Sequence, residues 1–166
     1  MYAVPLDLIM PINKSMTPAE ELRTVALTTI AERNPEPEWI HIYTDGSATE
    51  TNKNSDVGVY SSLFQLSAPA GAKLLILLER CCYTLALEKL THPSENKIVL
   101  LSDSRAALLA IASGHPSANA RILACRKTIE SKRERLKVLV MQWILAHCGI
   151  QGNEEAGRLA WLGASQ

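Results

Sequence analysis

Trp39-Ile40-His41-Ile42-Tyr43-Thr44-Asp45-Gly46-Ser47 is a short run of β-branched and aromatic residues that ends in an aspartate and a turn. A second run, Lys97-Ile98-Val99-Leu100-Leu101-Ser102-Asp103-Ser104, ends the same way. Between them lies Lys73-Leu74-Leu75-Ile76-Leu77-Leu78-Glu79-Arg80-Cys81-Cys82, an apolar stretch that reads as a helix and carries one glutamate. Strands joined through a helix predict an open sheet, in which ligands gather beyond the carboxyl ends of the strands. Three carboxylates gathered there make a site for a hard cation. With magnesium, such a site cuts phosphodiesters.

The rest of the chain extends this pattern. Thr17-Pro18-Ala19-Glu20 has the form of a capping box with proline at the first helical position, predicting a helix to about Arg33. Pro35 and Pro37 stop it. Residues 1–16 contain proline and no clear period, as in a tail or a connection to upstream sequence. After the first strand, residues 48–56 are polar, with Asn52 and Asn54, and read as a hairpin loop. Strands are expected at 57–61 and 63–68, and the apolar helix at 73–90. A short helix from Ser104 to about Gly114, a helix at 117–135 and a last strand at 137–145 follow. That last strand reads as buried on both faces. A loop at 148–152 precedes a final helix that Asn153 can cap and that ends near Gly163. The order predicts an α/β fold with a mixed sheet, an antiparallel meander first and then parallel strands through crossovers. It divides the chain into residues 1–38, an N-terminal tail and helix, and residues 39–166, the domain.

With 166 residues, 47% of them hydrophobic and 20% charged, the composition is that of one globular domain with one core. Lys and Arg number 17 and Asp and Glu 17, so the net charge is zero and any nucleic-acid contact must come from a local basic patch. The four cysteines, Cys81, Cys82, Cys125 and Cys148, lack paired zinc-ligand spacing. They read as reduced and mostly buried, which predicts an intracellular protein. No run is long and apolar enough to span a membrane. Pro5, Asp7 and Pro11 interrupt the N-terminus, so a signal peptide is not expected.

Each candidate has a plainer reading when taken alone. Glu79, flanked by leucines, is costly to bury unless something pairs with it, and it also reads as a rim glutamate paired with Arg80. Asp45 and Asp103 each also read as turn or helix-cap aspartates. The helix at 117–135 ends in a cluster that includes Arg126, Lys127, Lys132 and Arg133. Interleaved with Glu130 and Glu134, it reads either as a solvated mixed face or as a phosphate-contacting patch.

Taken together, the motifs carry a resemblance. Asp45-Gly46-Ser47, Val57-Gly58-Val59, Glu79, Ser102-Asp103-Ser104 and His147-Cys148-Gly149-Ile150-Gln151-Gly152-Asn153-Glu154-Glu155-Ala156 resemble, in that order, a type 1 ribonuclease H domain. They look most like those of non-LTR retrotransposon reverse-transcriptase polyproteins, over roughly residues 39–164. The resemblance implies a ribonuclease H-like fold, a five-stranded mixed sheet flanked by helices. It implies cleavage of the RNA strand of an RNA–DNA hybrid with two magnesium ions held by four carboxylates, manganese being a possible substitute. Asp45, Glu79 and Asp103 match three of those metal-binding catalytic carboxylates. His147 matches the flexible-loop histidine that moves protons or aids product release. Gly46 and Ser47 lie where the family's backbone meets the RNA strand, whose 2′-hydroxyls distinguish RNA from DNA. Arg126 and Lys127 are candidates for contact with the hybrid's phosphates.

The fourth carboxylate of the family follows Asn-Glu-x-Ala, and here that position is Gly157. Glycine offers no ligand, and inside a helix it costs about 1 kcal/mol relative to alanine. Glu154, three residues earlier, lies on a nearby face of that helix and could reach the site through a water. Leu77 and Trp161 also depart from the family, which commonly has asparagine and lysine there. Three functions follow as expectations: a nuclease weakened by Gly157, a non-catalytic nucleic-acid-binding remnant, or an interaction domain that kept only the fold.

Overall fold

The computed structural model describes residues 3–48, 55–69, 97–105, 108–109, 127, 130 and 138–164. The elements in chain order are α1 (Ala19–Arg33), β1 (Ile40–Ala48), β2 (Ser55–Ser61), β3 (Gln65–Pro69), β4 (Lys97–Ser102), β5 (Val138–Trp143) and α2 (Gln151–Ala164). The helix expected at 73–90 lies outside the described residues. Of the helix expected at 117–135, only Lys127 and Glu130 are described, and both are helical.

The five strands form one sheet in the order β3-β2-β1-β4-β5. β1 pairs antiparallel with β2, and β2 antiparallel with β3. β1 and β5 both run parallel to β4. This is the expected meander followed by parallel strands. β4 is flanked on both edges and covered on both faces, which is why Ile98, Val99, Leu100 and Leu101 form an uninterrupted apolar run with no exposed surface. β5 differs from the expectation of burial on both faces, since Val138 is exposed and Val140 and Trp143 are half-buried.

Alternation along the strands separates two faces. Ile42, Ile98, Leu100 and Met141 lie on one and are fully buried. Tyr43, Val99 and Leu101 lie on the other, in a core shared with α1 and α2. α1 contributes Leu22, Val25, Ala26, Thr29 and Ile30, a buried stripe at helical spacing. α2 contributes Ala156. The Thr17 capping box does not form. α1 starts one residue later than that motif requires, its N-cap is Pro18, and no side chain caps it. Burial of the Tyr43 phenol, aided by the nearby Glu36 and Tyr60, pushes its pKa up to about 12.

α2 lies directly on β2. A Cβ added at Gly58 would collide with the backbone of Ala156 and Ala160, so only glycine permits this approach. Ala156 and Ala160 are themselves wholly buried small residues on the facing side of α2.

The segment before α1 runs along the outer edge of β5. Ala3 forms a parallel bridge with Val140. The N–H groups of Met141 and Trp143 donate to the carbonyls of Ala3 and Pro5, at 2.9 and 3.0 Å. Buried polar side chains hold the next residues. The Gln142 amide, fully buried, donates to Asp7 O at 2.8 Å. The Arg33 guanidinium donates to Asp7 O at 2.8 Å and to Gln142 Oε1 at 3.1 Å, and pairs with the Asp7 carboxylate at 3.3 Å. The hydroxyl of Thr29, also fully buried, accepts from Ile9 N–H at 3.2 Å while donating to Val25 O.

Two outcomes test this packing. Gly58→Ala lowers unfolding free energy by about 3 kcal/mol in urea titration, because the obstruction is backbone and cannot rotate aside. Arg33→Ala costs about 2 kcal/mol in the same measurement, because it strips a charged donor from the buried Gln142 carbonyl and loosens residues 3–9.

Candidate active site

β1 and β4 are parallel neighbours with Thr44 opposite Ser102. Asp45 and Asp103, each one residue further on, therefore sit on neighbouring strands about 5 Å apart. Asp103 follows the end of β4, whereas Asp45 lies within β1, which continues through Gly46 and Ser47 to Ala48 where a turn was expected. Both fall on the face of Tyr43 and Leu101, beneath α2. Across the antiparallel ladder, Asp45 stands opposite Gly58, the residue that lets α2 approach. The consequence is direct: a Cβ built at Gly157 would lie 2.9 Å from Asp45 Oδ2. The position expected to carry a fourth carboxylate is in contact with the first carboxylate, and the helix is in place without its side chain.

Asp103 is half-buried, and burial raises its pKa above the ordinary aspartate value. Four influences partly offset this: the Asn153 amide, whose Nδ2 donates to Asp103 Oδ2 at 3.3 Å, the charge of His147, a backbone hydrogen bond at Asp103 itself, and the charge of Lys14. A half-buried carboxylate destabilised in its charged form, beside a second carboxylate, suits a cation. Asp45 and Asp103 thus fit the divalent ions of the sequence reading, with hard oxygen donors held within β1 and just past the end of β4. Among the described residues, no group of three His, Cys, Asp or Glu side chains gathers closely enough to hold a metal. Glu79, the third expected carboxylate, lies outside the described residues, as does Arg126.

Asn153 was expected to cap the last helix. α2 instead begins at Gln151, and Asn153 sits inside its first turn, 4% exposed, turned to Asp103. Sequence gives no signal for this, because asparagine before a helical run is a good cap by composition alone. His147 occupies the β5–α2 loop with its side chain exposed and φ at 53°, a left-handed conformation that costs about 1 kcal/mol outside glycine. Gly149 at φ 83° shares the turn, and its carbonyl accepts from Arg23 Nε of α1 at 3.1 Å. Gly46 and Ser47 lie in β1, paired with Val57 and Asp56 of β2. Glu154 is exposed on α2 and Lys127 is exposed on its own helix. Cys148 is buried with a free thiol, and burial pushes its pKa up, so it behaves as a core residue.

With this geometry in place, the comparison with known proteins is specific. A profile of the RNase H family matches residues 37–165. The chain belongs to the RNase H family. The crystal structure of RNase H1 from the halophilic archaeon Halobacterium salinarum has the same fold. It superposes with a TM-score of 0.62 at 16% identity, over 76% of this chain and 98% of that one. No curated protein matches the chain. The five-stranded mixed sheet expected from sequence is thus the RNase H sheet. No helix among the described residues is long and apolar enough to cross a membrane.

The Asp103 environment gives a pH prediction. Its pKa is raised in the folded state, so folding penalises the carboxylate at neutral pH but not below the unfolded value of about 4, where both states are protonated. Asp103→Asn, melted in EDTA, raises Tm at pH 7, and the gain disappears as pH falls below about 4. A gain that persists at low pH would assign the effect to packing.

Proposed function

We propose that this RNase H domain is a metal-dependent endonuclease that cuts the RNA strand of RNA–DNA hybrids, of the type 1 class. It derives from a retrotransposon reverse-transcriptase polyprotein, and Gly157 weakens it. The observation that supports the reading is the closeness of Gly157 to Asp45: a Cβ built on Gly157 would lie 2.9 Å from Asp45 Oδ2, so a carboxylate there would reach the site, and this chain has none.

Asp45, Glu79 and Asp103 would hold the divalent ions, magnesium or manganese. When bound, such ions supply an activated water and stabilise charge on the leaving oxygen. The remaining work belongs to the chain's own groups. Asn153 orients Asp103 through its amide and offsets part of the burial that disfavours the charged carboxylate. His147, exposed on a constrained turn, carries a proton on its imidazole to or from the reacting phosphodiester. The backbone at Gly46 and Ser47 meets the RNA strand and reads its 2′-hydroxyls. Arg126 and Lys127 contact the hybrid's phosphates and give a salt-dependent part of the affinity.

The same glycine also supports a second reading, a domain that binds hybrid without cutting it. Three carboxylates carry a formal charge of −3, enough for one divalent ion but weak for a second.

The deciding measurement is cleavage of a labelled hybrid in magnesium and, separately, in manganese, with Asp45→Asn as control. RNA-strand cutting that vanishes in the control is the expected outcome. Hybrid bound but uncut in both metals would establish the second reading. Gly157→Asp is expected to raise the cleavage rate at least tenfold and tighten the weaker ion, because a carboxylate joins Asp45 at the site. The Asp45 side chain must shift by a few tenths of an ångström, a small cost for a flexible terminus. An unchanged rate in Gly157→Asp would move the defect elsewhere, to Leu77 first.

A further inference from the structure

A cavity of about 640 Å³ opens beside Asp103, a volume typical of small-ligand clefts. Residues 6–12 form one wall, and the end of β5 with the following loop, including Trp143 and Leu145, forms another. The first wall belongs to the segment held along β5 and precedes the RNase H match, which starts at residue 37. Its backbone is fixed by the buried Gln142 and Thr29 and the half-buried Arg33, so the cavity has a built side.

Two cations line it. Arg105, two residues after Asp103, lies over the Trp143 ring at 5.2 Å from its centroid. Lys14 is presented by a tight turn. Asn13 Oδ1 accepts from the Ser15 N–H at 3.1 Å and its hydroxyl at 2.7 Å, and Asn13 O accepts from the N–H groups of Met16 and Thr17. Lys14 is exposed, yet its charge reaches Asp103. Of the two acids in the lining, Asp7 is paired with Arg33, and Asp103 belongs to the catalytic end. The cavity thus joins an apolar wall, an aromatic ring and two cations to one edge of the candidate active site.

We infer that this cavity holds one or two unpaired nucleotides of a strand that continues beyond the hybrid, phosphate between Lys14 and Arg105 and base against the apolar wall. The occupant is a single strand, since the volume admits nucleotides but no duplex. The charge pattern selects a polyanion, and the adjoining carboxylates place that polyanion's cut site next door. Base contact with such a wall is tolerant of sequence, while the phosphate contacts make the grip salt-sensitive. This inference rests on the hybrid-nuclease reading, but its test does not require cutting.

The experiment compares the full chain's affinity for a blunt hybrid with its affinity for the same hybrid carrying a four-nucleotide single-stranded tail, 5′ or 3′. Fluorescence anisotropy is read in EDTA, where no strand is cut. At least one tail is expected to tighten binding about tenfold. The advantage should fall to about unity in Lys14→Ala with Arg105→Ala, and return largely in Lys14→Arg with Arg105→Lys. A tail advantage that survives the double alanine variant, or no advantage for either tail in the unmodified chain, overturns the inference. Failure of the nuclease reading shows separately, as hybrid that is never cut in magnesium or manganese while the tail effect persists.

Discussion

The arrangement depends on how closely α2 lies on the sheet. Gly58 on β2 has no side chain, Ala156 and Ala160 offer almost none, and the helix backbone meets the strand backbone. That distance decides what α2 can deliver. It brings Gly157 against Asp45 and Asn153 against Asp103, so one helix supplies a neighbour to each carboxylate from positions four residues apart. A bulkier residue at any of the three small positions would lift the helix, and both neighbours would leave together. The site's geometry is therefore a product of packing at residues that carry no chemistry.

Charge is handled by the same helix in two ways. At Asp103 an amide donor and nearby cations temper a carboxylate that burial would otherwise protonate more readily. At Asp45 the helix contributes a glycine where a carboxylate would add negative charge. Without a cation, that glycine spares the fold a like-charge contact. With a cation, it leaves a ligand position to substrate or water. On the proposed nuclease reading, Gly157 would therefore cost chemistry more than stability.

Much of the fold was legible because the strands are written in local signals. β1 and β4 were expected from apolar runs that lead to Asp45 and Asp103; β1 runs on past Asp45 to Ala48, into the expected turn, and the other four strands fall within about two residues of their expected bounds. Legibility ended where the signal was tertiary. Asn153 has the composition of a cap, and only the position of β4 turns it toward Asp103. Thr17 and Glu20 spell a capping box that the helix start does not use. Residues 3–12 show no period because they contribute mainly backbone groups, which any sequence carries. Lys14 and Arg105, 91 positions apart, share a cavity through that segment, which spacing could not reveal. Glu79 was singled out from its apolar flanks and lies outside the described residues.

The pairing of residues 3–5 with β5 also covers an outer edge of the sheet. A parallel sheet that stops at β5 would present the unsatisfied N–H groups of Met141 and Trp143 along a strand whose exposed end is Val138. Such an edge is a template for another chain's strand. The N-terminal segment occupies that template with its own carbonyls, and prolines at 5 and 11 keep it from offering a regular edge in turn. A fragment cut back to the residues that match the RNase H family would lose this cover. Its edge would be open to pairing with a second molecule.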